Sequence, residues 1–281
     1  MIQEAAKPSS SGDRRSLRQI ILLLLAVYLF IYVFAVPMLM LDLVPAWGTW
    51  MGGFLLILQG SLLTLWLAAN AGARGWLAAA GIGGLSWAVE HLGVTTGWPF
   101  GPYSYTGMLG WKLGGVVPLP IPFAWLLVIP AAIGAARWLL PARTSRIWLA
   151  LLAPLLALAL DLLLEPVAAY IMDYWHWLDS GPYYGVPTAN FIAWGVTALV
   201  LTLLTLVLGG KRLRDPAVLP DVPVLLYLLN LVQFTLVDLV YGYVWAALIG
   251  VVVSAPLFWR MRAEDNLVQR LRAELINSYK L

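Results

Sequence analysis

Long apolar runs, broken by short polar or glycine- and proline-rich segments, dominate the chain. Eight of them, at about 17–40, 50–70, 75–94, 119–140, 146–171, 188–209, 222–239 and 241–260, have the length of membrane-crossing helices. Crossing the roughly 30 Å hydrocarbon core takes about 20 helical residues. The last two runs come from one stretch, Val222 to Trp259, that is too long for a single crossing. Asp238 to Tyr243 carries its only turn signal, with Gly242 as the breaker. The pattern therefore predicts an all-α, polytopic membrane helix bundle of about eight transmembrane helices. The first run is too long for a signal-peptide core and reads as an uncleaved first span.

Basic residues orient the bundle. With the N-terminus in the cytoplasm and the chain alternating, all 17 lysines and arginines except Lys112 fall on the cytoplasmic side. A count of seven or nine would scramble that separation, so both termini are expected to be cytoplasmic. Residues 1–16 read as a disordered tail and 17–260 as the transmembrane domain. Residues 261–281 read as an amphipathic cytoplasmic helix, with Leu267, Leu271 and Leu275 at helical spacing among charges.

Composition agrees: 62% of residues are hydrophobic and 11% charged, against about 25% charged in a soluble domain. A multi-pass protein of the cell membrane is expected, with the bilayer as its surroundings. The net charge of +3 is spread over membrane-flanking loops and gives no reason to expect nucleic acid. The absence of cysteine excludes disulfides, thiolate nucleophiles and Cys-ligated metal centres. His91 and His176 are the only histidines. A metal site would have to be built mainly from carboxylates, without the spaced motifs that mark such sites, and none is assigned.

Ionisable groups inside membrane spans are costly and mark functional sites by default. Here they are Glu90, Asp161, Glu165 and Asp238. The third, fifth and seventh spans would run in one direction and bring these acids to similar depth near the outer side. Asp161 and Glu165, at i and i+4, share one helix face. Two carboxyls in a low-dielectric pocket cannot easily both ionise, so one is expected to hold a proton. Pro166 follows and should free a backbone carbonyl as an extra acceptor. The plainer alternative is that these acids only satisfy backbone groups or a neighbour. For Asp238, beside a turn, it is as good a reading as the functional one, and the same holds for His91 and His176.

Two outer loops frame the acids. Residues 95–122 are dense in glycine and proline and carry Trp98, Phe100, Tyr103, Tyr105 and Trp111. A loop of this length is commonly a lid or a re-entrant segment. Residues 172–187 echo it, with Gly101-Pro102-Tyr103 recurring as Gly181-Pro182-Tyr183. Single rings fit an interfacial aromatic belt. The two echoing segments, "GWPFGPYSY" and "SGPYYG", together suggest the halves of one lid.

The segments "EHLGVTTGWPFGPYSYT" (90–106), "PLPIPFAW" (118–125), "DLLLEP" (161–166) and "YWHWLDSGPYYGVPTANFIAW" (174–194) resemble the carotenoid biosynthesis membrane proteins that include the CruF-type carotenoid 1,2-hydratases. The resemblance covers about residues 20–260. It implies water addition across the C1–C2 double bond of an acyclic carotenoid end group, in a substrate such as lycopene or γ-carotene. Other carotenoid enzymes would be its partners in the membrane. Such chemistry needs an acid to protonate C2, shelter for a tertiary cation at C1, and an oriented water.

Asp161, Glu165 and Glu90 fit the acid, held protonated by burial or by a neighbouring carboxylate. His91 or a second carboxylate, Asp238 among them, fits the water-orienting group. Trp98, Tyr103, Trp175, Tyr183 and Tyr184 fit the cation-stabilising faces. Phe100, Tyr105, His176, Asn190 and Trp194, within the resembling segments, complete the candidate substrate contacts. No redox cofactor is called for, and no nucleotide or flavin motif occurs. The residues leave two other readings standing: a cyclase that quenches the same cation with an internal double bond, and a transporter or lipid-binding protein with a proton relay.

Overall fold

The computed structural model describes residues 11–141 and 144–263. Its long helices are α1 (Ser11–Met40), α2 (Met51–Ala71), α3 (Ala73–Thr96), α4 (Pro120–Leu139), α5 (Arg146–Pro166) and α6 (Thr188–Gly209). A single turn, α7 (Lys211–Arg214), precedes α8 (Val222–Val240) and α9 (Val244–Ala263). Helix α1 begins ahead of the boundary expected at residue 17. The expected amphipathic helix over 261–281 lies, beyond Ala263, outside the described residues.

Seven helical segments are long and apolar enough to cross a membrane: Asp13–Met40, Ala46–Ala71, Pro120–Leu139, Arg146–Ile171, Thr188–Gly209, Val222–Val240 and Val244–Met261. The chain is a multi-pass membrane protein. The eighth run expected from the sequence forms α3, which has 24 residues. Its glycines, Arg74, Glu90 and His91 dilute its apolar character, so it falls outside that set. Outward faces such as Leu23, Phe30, Val207 and Trp259 are exposed, as lipid-facing side chains should be.

Helix α4 is the centre, packing against α2, α3, α5 and α8. Water is absent from a membrane interior, so helices are held by close packing and hydrogen bonds, and small residues let backbones approach. A side chain at Gly60 would lie 2.4 Å from the Phe123 carbonyl oxygen, which fixes α2 against α4. At the end of the bundle where α2 ends, Trp66 and Asn70 bind the loop at Val218 and Leu219.

The other end carries the loops that matter for chemistry. Strand β1 (Tyr103–Tyr105) pairs antiparallel with β4 (Trp175–Trp177), Tyr103 opposite Trp177 and Tyr105 opposite Trp175. A second small ribbon joins β2 (Lys112–Leu113) to β3 (Val117–Pro118). The two outer loops do pair, but the partner of Tyr103–Tyr105 is Trp175–Trp177, not the "SGPYYG" segment. The latter closes on itself, with Gly181 donating to the Gly185 carbonyl, and abuts the first loop where Pro187 meets Gly101. Extended alternation explains the choice: "YSY" and "WHW" each put two aromatics on one face, whereas the proline and Gly185, at φ +77°, break an extended run.

Pro166 acts as its chemistry requires. It has no N–H to give the Leu162 carbonyl, and the helix continues as a π turn over Val167–Ile171. The Tyr183 hydroxyl supplies the missing donor at 2.9 Å.

Candidate active site

The β1–β4 ribbon presses its aromatic face into the bundle. Tyr103, Tyr105 and Trp175 are buried and Trp177 half-buried, while Ser104 and His176 point outward. Gly93, one turn beyond Glu90 on α3, makes room for this: a side chain there would come within 2.7 Å of Phe100 and 3.0 Å of the Tyr103 hydroxyl.

Four donors from the ribbon meet two carboxylates. Glu90 Oε2 accepts from Tyr103 at 2.6 Å and from Tyr105 at 2.8 Å, and Oε1 accepts from Trp125 Nε1 of α4 at 3.1 Å. Glu165 Oε2 accepts from Trp175 at 3.3 Å and from Trp177 at 3.1 Å. Asn190 of α6 completes the set, its Nδ2 donating to Glu165 Oε1 at 3.0 Å and to Asp161 Oδ2 at 3.3 Å. Indoles can only donate, and the amide is turned with its donors toward the acids. Burial first, and then the charge of Glu90, push the Tyr103 and Tyr105 phenols up, so they remain donors as well.

The three acids are therefore unequal. Glu90 and Glu165 each receive three donors, the arrangement suited to an ionised carboxylate. Asp161 receives one long bond, and its buried Oδ1 has no protein partner. Among the oxygens of these three acids, Asp161 Oδ1 alone accepts no hydrogen bond.

A cavity of about 410 Å³ opens beside these groups. Glu90, Glu165, Asn190, Tyr103, Tyr105, Trp175 and Trp177 line it, with Trp125 and Trp194 stacked at 4.0 Å. Its wall runs on to Phe30 and Phe34 of α1, which are also exposed on the outer surface of the bundle. The cavity thus reaches toward the lipid-facing side. Gln59, Asn230 and Gln233 add amides to an otherwise apolar wall.

Among the residues expected at the site, Glu90, Glu165, Phe100, Tyr103, Tyr105, Trp175, Asn190 and Trp194 meet at the cavity. Asp161 stands behind Glu165 and does not line it. His91 faces Trp87, with ring centroids 5.2 Å apart. Trp98 is 67% exposed, and His176 sits on the outer face of the ribbon, 2.6 Å from Asp173. Asp238, Tyr183 and Tyr184 do not line the cavity, and Tyr183 packs on Tyr184 with ring centroids 4.7 Å apart. Trp125 and Trp177 were missed, although both lie in quoted segments. The i, i+2 alternation of "WHW" would have paired Trp177 with Trp175. Among the described residues no three Asp, Glu or His side chains form a metal-holding group.

Comparison with known proteins places this architecture. The family model described as "Carotenoid biosynthesis protein" matches residues 51–257, from the start of α2 to well into α9. The chain belongs to that family. Every residue of the acid cluster and its ribbon lies inside the matched region. A relative from Haloarcula japonica, a bisanhydrobacterioruberin hydratase, is 32% identical over 191 residues, covering 65% of this chain. The chain spans 62% of the length of that relative. No solved structure matches the chain.

Proposed function

We propose that the protein hydrates the C1–C2 double bond of an acyclic carotenoid end group, such as that of lycopene or γ-carotene, in the cell membrane. One observation carries the reading: two carboxylates, each fixed by three donors, face one aromatic cavity, and a third, under-donated carboxyl backs one of them. The name of the Haloarcula japonica relative supports water addition as the outcome.

The proton that the Asp161–Glu165 pair shares rests on Asp161 Oδ1 and passes through Glu165, the member that lines the cavity, to C2, and the π electrons of the double bond form the new C–H bond. The cation left at C1 is sheltered by the indole and phenol faces, which attract positive charge, and by the Glu90 carboxylate. Water bonds to C1 through oxygen and passes a proton to Glu90 as general base. The net change is the addition of one water, and nothing is oxidised or reduced overall. The polyene would enter from the bilayer past Phe30 and Phe34.

For topology, α3 serves as an eighth crossing, both termini face the cytoplasm, and the ribbon lies on the outer side. The charge distribution supports this, since among the basic residues only Lys112 would then be outside.

Membranes containing the protein, given an acyclic carotene in deuterium oxide made with heavy oxygen, should yield a tertiary alcohol. It should carry one solvent deuterium at C2 and solvent oxygen at C1. A product with one solvent deuterium, no added oxygen and a shorter-wavelength spectrum would mean cyclisation. Oxygen drawn from dioxygen would overturn the mechanism.

A further inference from the structure

Asp238 of α8 is 0% exposed, and neither of its carboxylate oxygens has a protein partner. It does not line the cavity, so the addition step above makes no use of it. An uncompensated acid in a membrane span is too costly to leave unexplained.

Its neighbours form a graded series between the surface and the acid pair. Tyr170 is exposed, and Tyr184 and Tyr243 are half-buried. The Tyr243 ring lies 6.5 Å from Tyr170 and 5.1 Å from Tyr184, and its backbone N–H donates to the Asp238 carbonyl. Tyr184 packs on Tyr183 at 4.7 Å. Tyr183 reaches α5, its hydroxyl donating at 2.9 Å to the carbonyl of Leu162, the residue that follows Asp161 in the chain. Burial, then the charges of Tyr184, Asp238, Asp161 and Glu165, raise the Tyr183 phenol. Helices α5, α8 and α9 meet tightly just below, where a side chain at Gly250 would strike both Thr235 and Leu163.

We infer that Asp238, Tyr183 and Asp161 form a proton relay from the tyrosine-lined surface to Glu165, separate from the substrate cavity. The inference rests on the hydration reading and completes it. Each turnover takes a proton from Glu165 and leaves one on Glu90, so the acid has to be reloaded before the next. Asp238 takes a proton from the surface side, and the Tyr183 hydroxyl, with water between polar groups, hands one to Asp161. Asp161 then restores Glu165, and Glu90 releases its proton on the other side of the cavity. Protons balance, and no other reactant is needed. Asp238 is a positioning and relay residue that never touches substrate.

The test compares wild type with Asp238→Asn, Asp238→Glu, Asp238→Ala and Tyr183→Phe in membranes. Two readouts are taken: kcat and KM on an acyclic carotene, and hydrogen–deuterium exchange of the buried carboxyl band by infrared spectroscopy. Loss of that band in Asp161→Asn assigns it. Asp238→Asn should lower kcat at least about tenfold, short of the about hundredfold low end for groups that transfer a proton directly to the reacting atoms, with KM unchanged. It should also slow the exchange by a similar factor. Asp238→Glu should restore both, and formate should restore Asp238→Ala. Tyr183→Phe should show a smaller loss of the same kind. Wild-type kcat and unchanged exchange in Asp238→Asn would overturn the relay, and so would a loss that neither Glu nor formate rescues. A wild type that hydrates nothing, yet shows exchange slowed by Asp238→Asn, would instead overturn the hydration reading and leave the relay standing.

Discussion

Removing one hydroxyl from the ribbon, in Tyr105→Phe, should reveal the charge that Glu90 carries. The bond lost is buried and short, 2.8 Å to Oε2. Tyr103 at 2.6 Å and Trp125 at 3.1 Å remain. Hydrogen bonds to charged groups contribute about 1.5–3 kcal/mol and neutral ones about 0.5–1.5 kcal/mol. If Glu90 is a carboxylate, Tyr105→Phe should destabilise the fold by about 2 kcal/mol. In a Glu90→Gln background the same change should cost about 1 kcal/mol or less, because the acceptor is then neutral. The coupling between the two positions is thus about 1 kcal/mol or more, above the few tenths within which independent sites add. Detergent-titrated unfolding of the four proteins, read by tryptophan fluorescence, measures it. Full additivity would refute the claim that Glu90 is an ionised acceptor held by the ribbon, and with it the general-base role.

Two further changes probe the frame around the acids. Gly93→Ala places a methyl group 2.7 Å from Phe100. It should destabilise by about 1–3 kcal/mol as an overpacked site, measured by the same unfolding titration, and lower hydration by displacing Tyr103. His176→Ala should leave stability within about 0.5 kcal/mol and hydration at the wild-type rate, because its exposed pairing with Asp173 faces away from the cavity.

The helices were legible because an apolar run of membrane length has few other uses, and the eight expected runs correspond to α1–α6, α8 and α9. Helix α3 shows the limit: small residues and a buried acid lower its hydropathy below that of the seven clear spans. The acids were also legible, since a carboxyl in such a run is conspicuous. Their unequal hydrogen bonding was not. Asp161 and Glu165 look equivalent at i and i+4, and only three-dimensional donor placement separates them. The pairing of Tyr103–Tyr105 with Trp175–Trp177 was hidden by long sequence separation and by the stronger glycine–proline–tyrosine echo. The freed Leu162 carbonyl follows from Pro166 alone, but that Tyr183 fills it does not.

The mass of the pigment made by cells that supply an acyclic carotene, with wild-type protein or with Glu165→Gln at equal membrane levels, tests the central claim most directly. Wild type should shift the pigment by the mass of one water per end group processed, and Glu165→Gln should leave it unshifted. An unshifted pigment with well-expressed wild type, or a shift of equal yield with Glu165→Gln, would contradict the assignment of this carboxyl as the acid of a hydratase.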